Sequence, residues 1–278
     1  MSKMYRKNGS SWLEVKKGFK VKYGSGYIEP KQINYRYNGA WHKHAFETTV
    51  VFEGGYGYDA YGRRKGAYRE LAYDGMTAIR SVFPSSPVLP YDVGGLNKNK
   101  LYVLNRSVFK EVDRQIQEYN PSTLTPIRTV NNKISSNYYG IAGSDDKLWL
   151  SYNFHEIHEY NPSTGVKIGS VSRHAETIGR FDETLVSWGL DASLRQGPID
   201  DAFATTLSVN WNYGRVHGIS GIDGRLFIIY YVQSSNQYIR AEVNPSTMTP
   251  INSYKYVKKS TDVLNSFEPE SGMVLLKI

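Results

Sequence analysis

Cysteine is absent from this chain of 278 residues. Disulfides, thiolate zinc centres and cysteine nucleophiles are thereby excluded. No apolar run approaches the roughly 18 residues that a helical span needs, so membrane insertion is not expected. No window of about 11–18 residues repeats its apolar positions at helical spacing, so helices are not expected either. A Gly-x-Ser-x-Gly elbow and a phosphate-binding glycine loop are both missing. The first residues, Met1-Ser2-Lys3-Met4-Tyr5-Arg6-Lys7, lack the apolar stretch of a signal peptide. Without an export signal, Asn8-Gly9-Ser10 is not expected to be glycosylated although it fits the acceptor pattern.

What the chain does have is a repeated turn. Glu118-Tyr119-Asn120-Pro121-Ser122-Thr123, Glu159-Tyr160-Asn161-Pro162-Ser163-Thr164 and Glu242-Val243-Asn244-Pro245-Ser246-Thr247 each place Asn-Pro-Ser-Thr between strand-like runs. Asn starts a turn, Pro fixes φ and Ser or Thr bonds the local backbone. Upstream of each copy is a Gly-led run, a polar turn and an apolar run, the pattern of a hairpin. Such units begin at Gly94, Gly140 and Gly218, with a degenerate one at Gly179. A spacing of about 40 residues is that of a four-stranded propeller blade.

The ends of the repeat region carry half-units. Residues 270–278 match the inner hairpin and stop, whereas Ala72–Val82 match an outer half. Joined, they would form a composite blade and close the ring without an exposed edge. The expectation is an all-β fold, a five-bladed β-propeller closed by N- and C-terminal half-blades, preceded by a basic β-rich arm. The expected organisation is an arm or small β module at 1–50, a Gly/Tyr-rich linker at 51–65 and the propeller at 66–278.

Charge follows the same division. Residues 1–65 hold 13 Lys/Arg against 5 Asp/Glu, and residues 66–278 hold 21 of each. The whole excess of +8 therefore lies in the N-terminal part, which points to an acidic partner. The linker stretch Phe52–Lys65 alternates Tyr with Gly and ends in Arg63-Arg64-Lys65. Single-strand nucleic-acid binders share that mixture, but a linker packing on a neighbour is the preferred reading, and nucleic acid is not an expected partner.

Within the arm, Asn8-Gly9-Ser10-Ser11-Trp12 is echoed by Asn38-Gly39-Ala40-Trp41, and Trp12–Tyr23 alternates apolar residues with Lys. A strand with one apolar and one basic face would result. Asn-Gly-x-Trp followed by Val/Lys alternation resembles the short basic β modules of tailed-bacteriophage virion proteins, near the ends of tail and baseplate components. The second copy, Trp41-His42-Lys43-His44, departs from that alternation. The resemblance covers under a fifth of the chain. It implies a non-enzymatic virion structural protein of the tail, baseplate or receptor-binding type, assembled in the host cytoplasm and docked to other virion proteins. Trp12, Val15, Phe19, Val21 and Trp41 would anchor the dock, and Lys16, Lys17, Lys20 and Lys22 would steer it.

No catalytic, cofactor or metal site is expected. His155-Glu156-Ile157-His158 is not HExxH, and in a strand its two histidines face opposite sides. His42 and His44 would share a strand face, read as a wet surface pair. Asp145-Asp146 and Asp182-Glu183 fall at hairpin turns; with Asp200-Asp201 they do not resemble the channel-facing pair of a propeller glycosidase. The rival function is recognition of a host cell-surface glycan, with Tyr138, Tyr139, Trp211 and Tyr213 as candidate contacts, each just before an inner strand.

Overall fold

The computed structural model describes residues 5–8, 11–14, 21–23, 26–28, 32–37, 40–45, 49–58, 64–71, 78–82, 88–96, 100–107, 113–121, 123–143, 146–199, 204–255, 267–268 and 273–277. The chain divides into two compact units, Met1–Thr48 and Thr49–Ile278. The smaller holds three antiparallel hairpins: β1 (Tyr5–Asn8) with β2 (Ser11–Glu14), β3 (Val21–Tyr23) with β4 (Gly26–Ile28), and β5 (Gln32–Tyr37) with β6 (Ala40–Ala45). Asn8 pairs with Ser11 and Tyr37 with Ala40. Trp12 lies in β2, Val21 and Lys22 in β3, and Trp41 in β6. Val15, Lys16, Lys17, Phe19 and Lys20 lie outside the described residues.

The larger unit is all-β and propeller-like. In chain order it runs β7 (Thr49–Tyr58), β8 (Arg64–Leu71), β9 (Ala78–Val82), β10 (Val88–Leu96), β11 (Lys100–Ser107), β12 (Asp113–Asn120), β13 (Thr125–Ser135) and β14 (Tyr138–Gly143). It continues with β15 (Leu148–Tyr152), β16 (Glu156–Tyr160), β17 (Lys167–Ser172), β18 (Thr177–Phe181), β19 (Thr184–Trp188), β20 (Ser193–Pro198) and β21 (Leu207–Asn210). Last come β22 (Arg215–Ile222), β23 (Arg225–Val232), β24 (Gln237–Asn244), β25 (Thr249–Lys255), β26 (Phe267–Glu268) and β27 (Met273–Lys277). Among the described residues the only helical element is a 3-10 turn at Gln233–Ser235.

Strands β10–β13 and β14–β17 form separate four-stranded antiparallel meanders. Strands β18–β21 and β22–β25 form two more, joined into one eight-stranded sheet by a single parallel pair, Phe181 with Gly221. The Gly-led runs are the first strands of their meanders, and the Asn-Pro-Ser-Thr turns join the third strands to the fourth. In each turn the Asn carbonyl accepts from the residue four positions on: Leu124 at 2.8 Å, Gly165 at 2.8 Å and Met248 at 2.7 Å. The Asn side chain accepts a further amide from Thr123, Ser163 or Ser246. All three closing residues are left-handed, with φ of 55°, 68° and 54°. Leu124 and Met248 offset that strain by burying their side chains. Gly165 has no such freedom, because a Cβ there would lie 2.1 Å from the Val130 carbonyl.

The N- and C-terminal ends of the larger unit do close on each other, but not as two half-blades. Strands β7, β8 and β9 form three members of one sheet, and β26 and β27 pair along the free edge of β7. The sheet is three strands from the start and one interrupted strand from the end. The stretch expected as a linker at 51–65 is mostly strand. Thr49-Val50-Val51-Phe52 supplies β-branched and aromatic residues, and the Tyr/Gly alternation is a period-two strand pattern. The unit boundary falls at Thr48/Thr49, close to the end expected for the arm at residue 50, and the stretch expected as a linker belongs to the larger unit.

Apolar side chains fill the spaces between successive sheets. Phe52, Tyr68 and Val274 pack with Val93, Leu101 and Tyr119. Leu104 and Ile116 pack with Ile141 and Leu150, and Trp149 and Ile157 with Ile178 and Leu185. Val186 and Trp188 pack with Ile219 and Ile228. Phe227 and Ile229 pack with Val51, Met273 and Leu275. The first strands approach so closely that a Cβ on Gly179 would lie 1.8 Å from the Ile219 carbonyl, and one on Gly94 2.7 Å from that of Ile141.

One of these interfaces holds charge. Glu53 on β7 is fully buried and accepts from Arg69 at 2.9 Å and from Arg240, on β24 of the neighbouring sheet, at 3.4 Å. Removing the acid would take a buried carboxylate away from two buried guanidinium groups, at a cost of about 3–5 kcal/mol. Glu53→Ala should therefore lower the urea midpoint far more than a surface control such as Glu183→Ala; equal midpoints would show that this pairing does not hold the sheets together.

Candidate functional site

The two ends of the sheets differ in sequence. One end carries the repeated Asn-Pro-Ser-Thr turns and the tight turns at 182–183 and 223–224. There Asp182 accepts the amides of Asp223 at 2.8 Å and Gly224 at 2.9 Å, and Arg128 donates to the carbonyls of Pro162 and Ser163. These are scaffold bonds, so Asp182 performs the turn chemistry its position implied. Asp146 is exposed at a bend, while Asp145, Asp200 and Asp201 lie outside the described residues.

The opposite end carries connections that do not repeat: 153–155, 173–176, 189–192 and 211–214. Loops on a fixed scaffold are where binding residues concentrate. Asn153 and Phe154 are consecutive left-handed residues, with φ of 50° and 64°. The Phe154 ring stacks on Tyr139 at 4.0 Å, and the Arg114 guanidinium lies 5.0 Å from the Tyr139 ring. Tyr213 is 45% exposed and sits edge-on to Trp211 at 4.8 Å.

The four candidate glycan contacts thus separate by exposure. Tyr139 is half-buried and Tyr213 exposed, whereas Tyr138 and Trp211 are buried. Trp211 packs in the interface between β18–β21 and β22–β25. Tyr138 heads an internal polar chain. Its hydroxyl is 2.6 Å from His158 Nδ1 and 2.7 Å from the Tyr160 hydroxyl, and His158 Nε2 lies 2.7 Å from Glu156 Oε2. Tyr152 stacks on the His158 ring at 4.5 Å.

This Glu–His–Tyr order has the outline of a relay, but its direction is wrong for catalysis. The exposed end is the carboxylate and the buried end is the phenol. Burial, aided by Tyr160, pushes the Tyr138 hydroxyl well above its ordinary range. Burial also lowers His158, outweighing the hydrogen bond it donates to Glu156. A neutral His158 that accepts from Tyr138 and donates to Glu156 satisfies all three groups, so the chain is a strut.

A second cluster, not foreseen from sequence, gathers at the start of β18. Glu176 is buried and pairs with Arg215 at the start of β22; its other carboxylate oxygen, Oε2, has no protein partner. Arg173 is buried, and desolvation followed by the charge of Arg195 lowers its pKa to about 10. Arg195 is held by Asp191. His155 and His174 meet at the surface, Nδ1 to Nδ1 at 3.2 Å. His155 and His158 do not share a strand: the first is exposed in a turn and the second is buried in β16. Nothing in the sequence pairs residues 155 and 174, because the contact arises from two connections brought side by side. His42 and His44 are two apart on β6.

Among the described residues, no group of three or more His, Cys, Asp or Glu could hold a metal ion. No helix there is long and apolar enough to cross a membrane.

No family model matches the sequence, and no curated protein sequence does. Among solved structures, the chain is similar to a glutaminyl cyclase from Myxococcus xanthus at 9% identity and a TM-score of 0.46, over 68% of this chain and 81% of that one. It is also similar to a hydrazine synthase from Kuenenia stuttgartiensis at 12% identity and a TM-score of 0.41, over 62% and 50%. A protein of unknown function from Bacteroides caccae gives 8% identity and a TM-score of 0.38, over 74% and 73%. The first of these is an enzyme, which corrects the expectation that the chain is not one. At these scores the likeness assigns no activity.

The His158 strut makes stability depend on pH. Its folded pKa lies below the ordinary value of 6.5. The stability it contributes is present above 6.5 and is lost as pH falls towards the folded pKa, because only the unfolded chain takes up the proton. Urea midpoints measured between pH 7.5 and 5 should fall for the natural chain and fall less for His158→Gln; parallel curves would remove His158 as the titrating group.

Proposed function

We propose that this chain is a virion structural protein of the tailed-phage kind. In this reading the larger unit is a five-bladed ring that serves as a rigid platform, and the basic N-terminal unit docks it to an acidic face of a neighbouring virion protein. The observation that carries the reading is the coincidence of two boundaries. Residues 1–48 hold 10 Lys/Arg against 3 Asp/Glu, and the compact unit they form ends where the nearly neutral one begins.

Five blades are supported by the adjacency of first strands. Strand β10 neighbours β14, β14 neighbours β18, β18 neighbours β22, β22 neighbours β27, and β27 neighbours β10. The lysines of the N-terminal unit act as complementary charge, governing orientation and association rate more than final affinity. A second reading, recognition of a host glycan, is favoured by Tyr213 and the Tyr139–Phe154 stack on the non-repeating end. Both roles can coexist in one virion protein, since they use different units.

The test uses tagged full-length chain and a Lys16→Glu, Lys17→Glu, Lys20→Glu, Lys22→Glu variant, each produced in phage-infected host cells. The natural chain should sediment with particles and the variant should stay in the soluble fraction. Equal incorporation would show that the basic unit is not the dock. Absence of both from particles, with glycan-array binding that Tyr213→Ala abolishes, would favour the second reading.

A further inference from the structure

The His155–His174 pair lies outside the buried strut and outside the docking unit. Its two Nδ1 atoms are 3.2 Å apart, and the rings meet edge-on at 86°. Both residues are exposed. Tetrahedral zinc, with metal–nitrogen distances of about 2.0–2.1 Å, spaces two imidazole nitrogens by about 3.3 Å. The separation already present therefore matches the bite of a first-row transition ion.

The backbone holds this spacing. His155 follows the left-handed pair Asn153-Phe154, and Asn153 donates its amide to the Asn137 carbonyl at 2.8 Å. His174 is bracketed by two bonds to the same turn: Arg173 donates to the His155 carbonyl at 2.9 Å, and Ala175 donates to the Phe154 carbonyl at 3.0 Å. The two backbone positions are thus held side by side before any ion arrives. Backbone strain at a non-glycine position, such as Phe154, is the kind that a functional constraint retains. Asp191, which feels the charge of His174, supplies negative potential nearby, although Arg195 and the Ser193 amide hold its carboxylate. Those bonds leave it a neighbour of the site and not a ligand.

We propose that His155 and His174 form a surface site for a divalent transition ion of borderline softness, Zn²⁺, Cu²⁺ or Ni²⁺. Both rings bind through Nδ1 as neutral imidazoles, each keeping its proton on the solvated Nε2. With two protein ligands, the remaining coordination positions are open to water or to a carboxylate from outside the chain. The site stands on the non-repeating end of the sheets, so a bound ion would be presented outward.

The test is a Cu²⁺ titration of the full-length chain at neutral pH, followed by electron paramagnetic resonance and calorimetry. The expected result is one ion with nitrogen hyperfine coupling from two imidazoles, and affinity weakened by about tenfold or more in each of His155→Ala and His174→Ala. A His42→Ala, His44→Ala variant, which removes the pair on β6, should keep the signal. Melting temperatures check that the exposed substitutions leave the fold intact, and His155→Gln provides a second variant that retains side-chain bulk. No binding, binding unchanged in both single variants, or binding lost only in the His42/His44 variant would overturn the proposal.

Discussion

The pairing of the last strand with the first of the larger unit is the constraint on which the rest depends. A meander of four-stranded sheets has two ends, and each exposes an unpaired edge and an uncovered apolar face. Strand β27 runs antiparallel to β7 from Met273–Glu53 to Lys277–Thr49. Its other edge meets β22, where Leu275 donates its amide to the Ser220 hydroxyl at 2.9 Å in a buried setting. A strand more than 200 residues away from its partner in sequence therefore bridges the first sheet and the fourth meander. The same interface buries Val51, Leu71, Phe227, Ile229, Met273 and Leu275 together, along with the Glu53 carboxylate and its two arginines.

Closure explains why the small residues fall where they do. Successive first strands lie so close together that Gly94 and Gly179 stand where a Cβ would strike the next strand's backbone. Trp149, Trp188 and Trp211 pack in the spaces between sheets. The repeated turns then tie one sheet to the next: Arg128 and Asn131 on β13 reach the carbonyls of Pro162, Ser163 and Gly165 in the following turn.

Much of this was legible in the sequence because it repeats. The Asn-Pro-Ser-Thr turns and Gly-led strands recur with their spacing intact, and local chemistry specifies both. The stretch at 51–58 reads locally as part of a linker because Gly and Tyr carry little hydrophobic signal, although it is a strand with neighbours on both sides. Its identity as a strand comes from partners on both sides, β8 and β27, which no local pattern encodes. The candidate site was less legible still. Tyr138 and Trp211 looked like loop aromatics, yet one is a buried member of a hydrogen-bonded strut and the other a packing residue. Contacts such as His155–His174 and Glu176–Arg215 join segments 19 and 39 positions apart, through connections that differ from sheet to sheet. Repetition records how the scaffold holds together, and the function-bearing loops are where repetition stops.

The central claim is that strand β27 is an integral member of the larger unit and not an appended tail. Native-state hydrogen exchange on the full-length chain measures this directly, because amides that open only with the whole fold share its free energy of opening. The account predicts that amides of residues 273–277 exchange as slowly as those of β22 and β23, and that protection in all three falls together as denaturant rises. Rapid exchange in 273–277 while β22 and β23 stay protected would contradict it, showing that the sheets hold together without closing on their last strand.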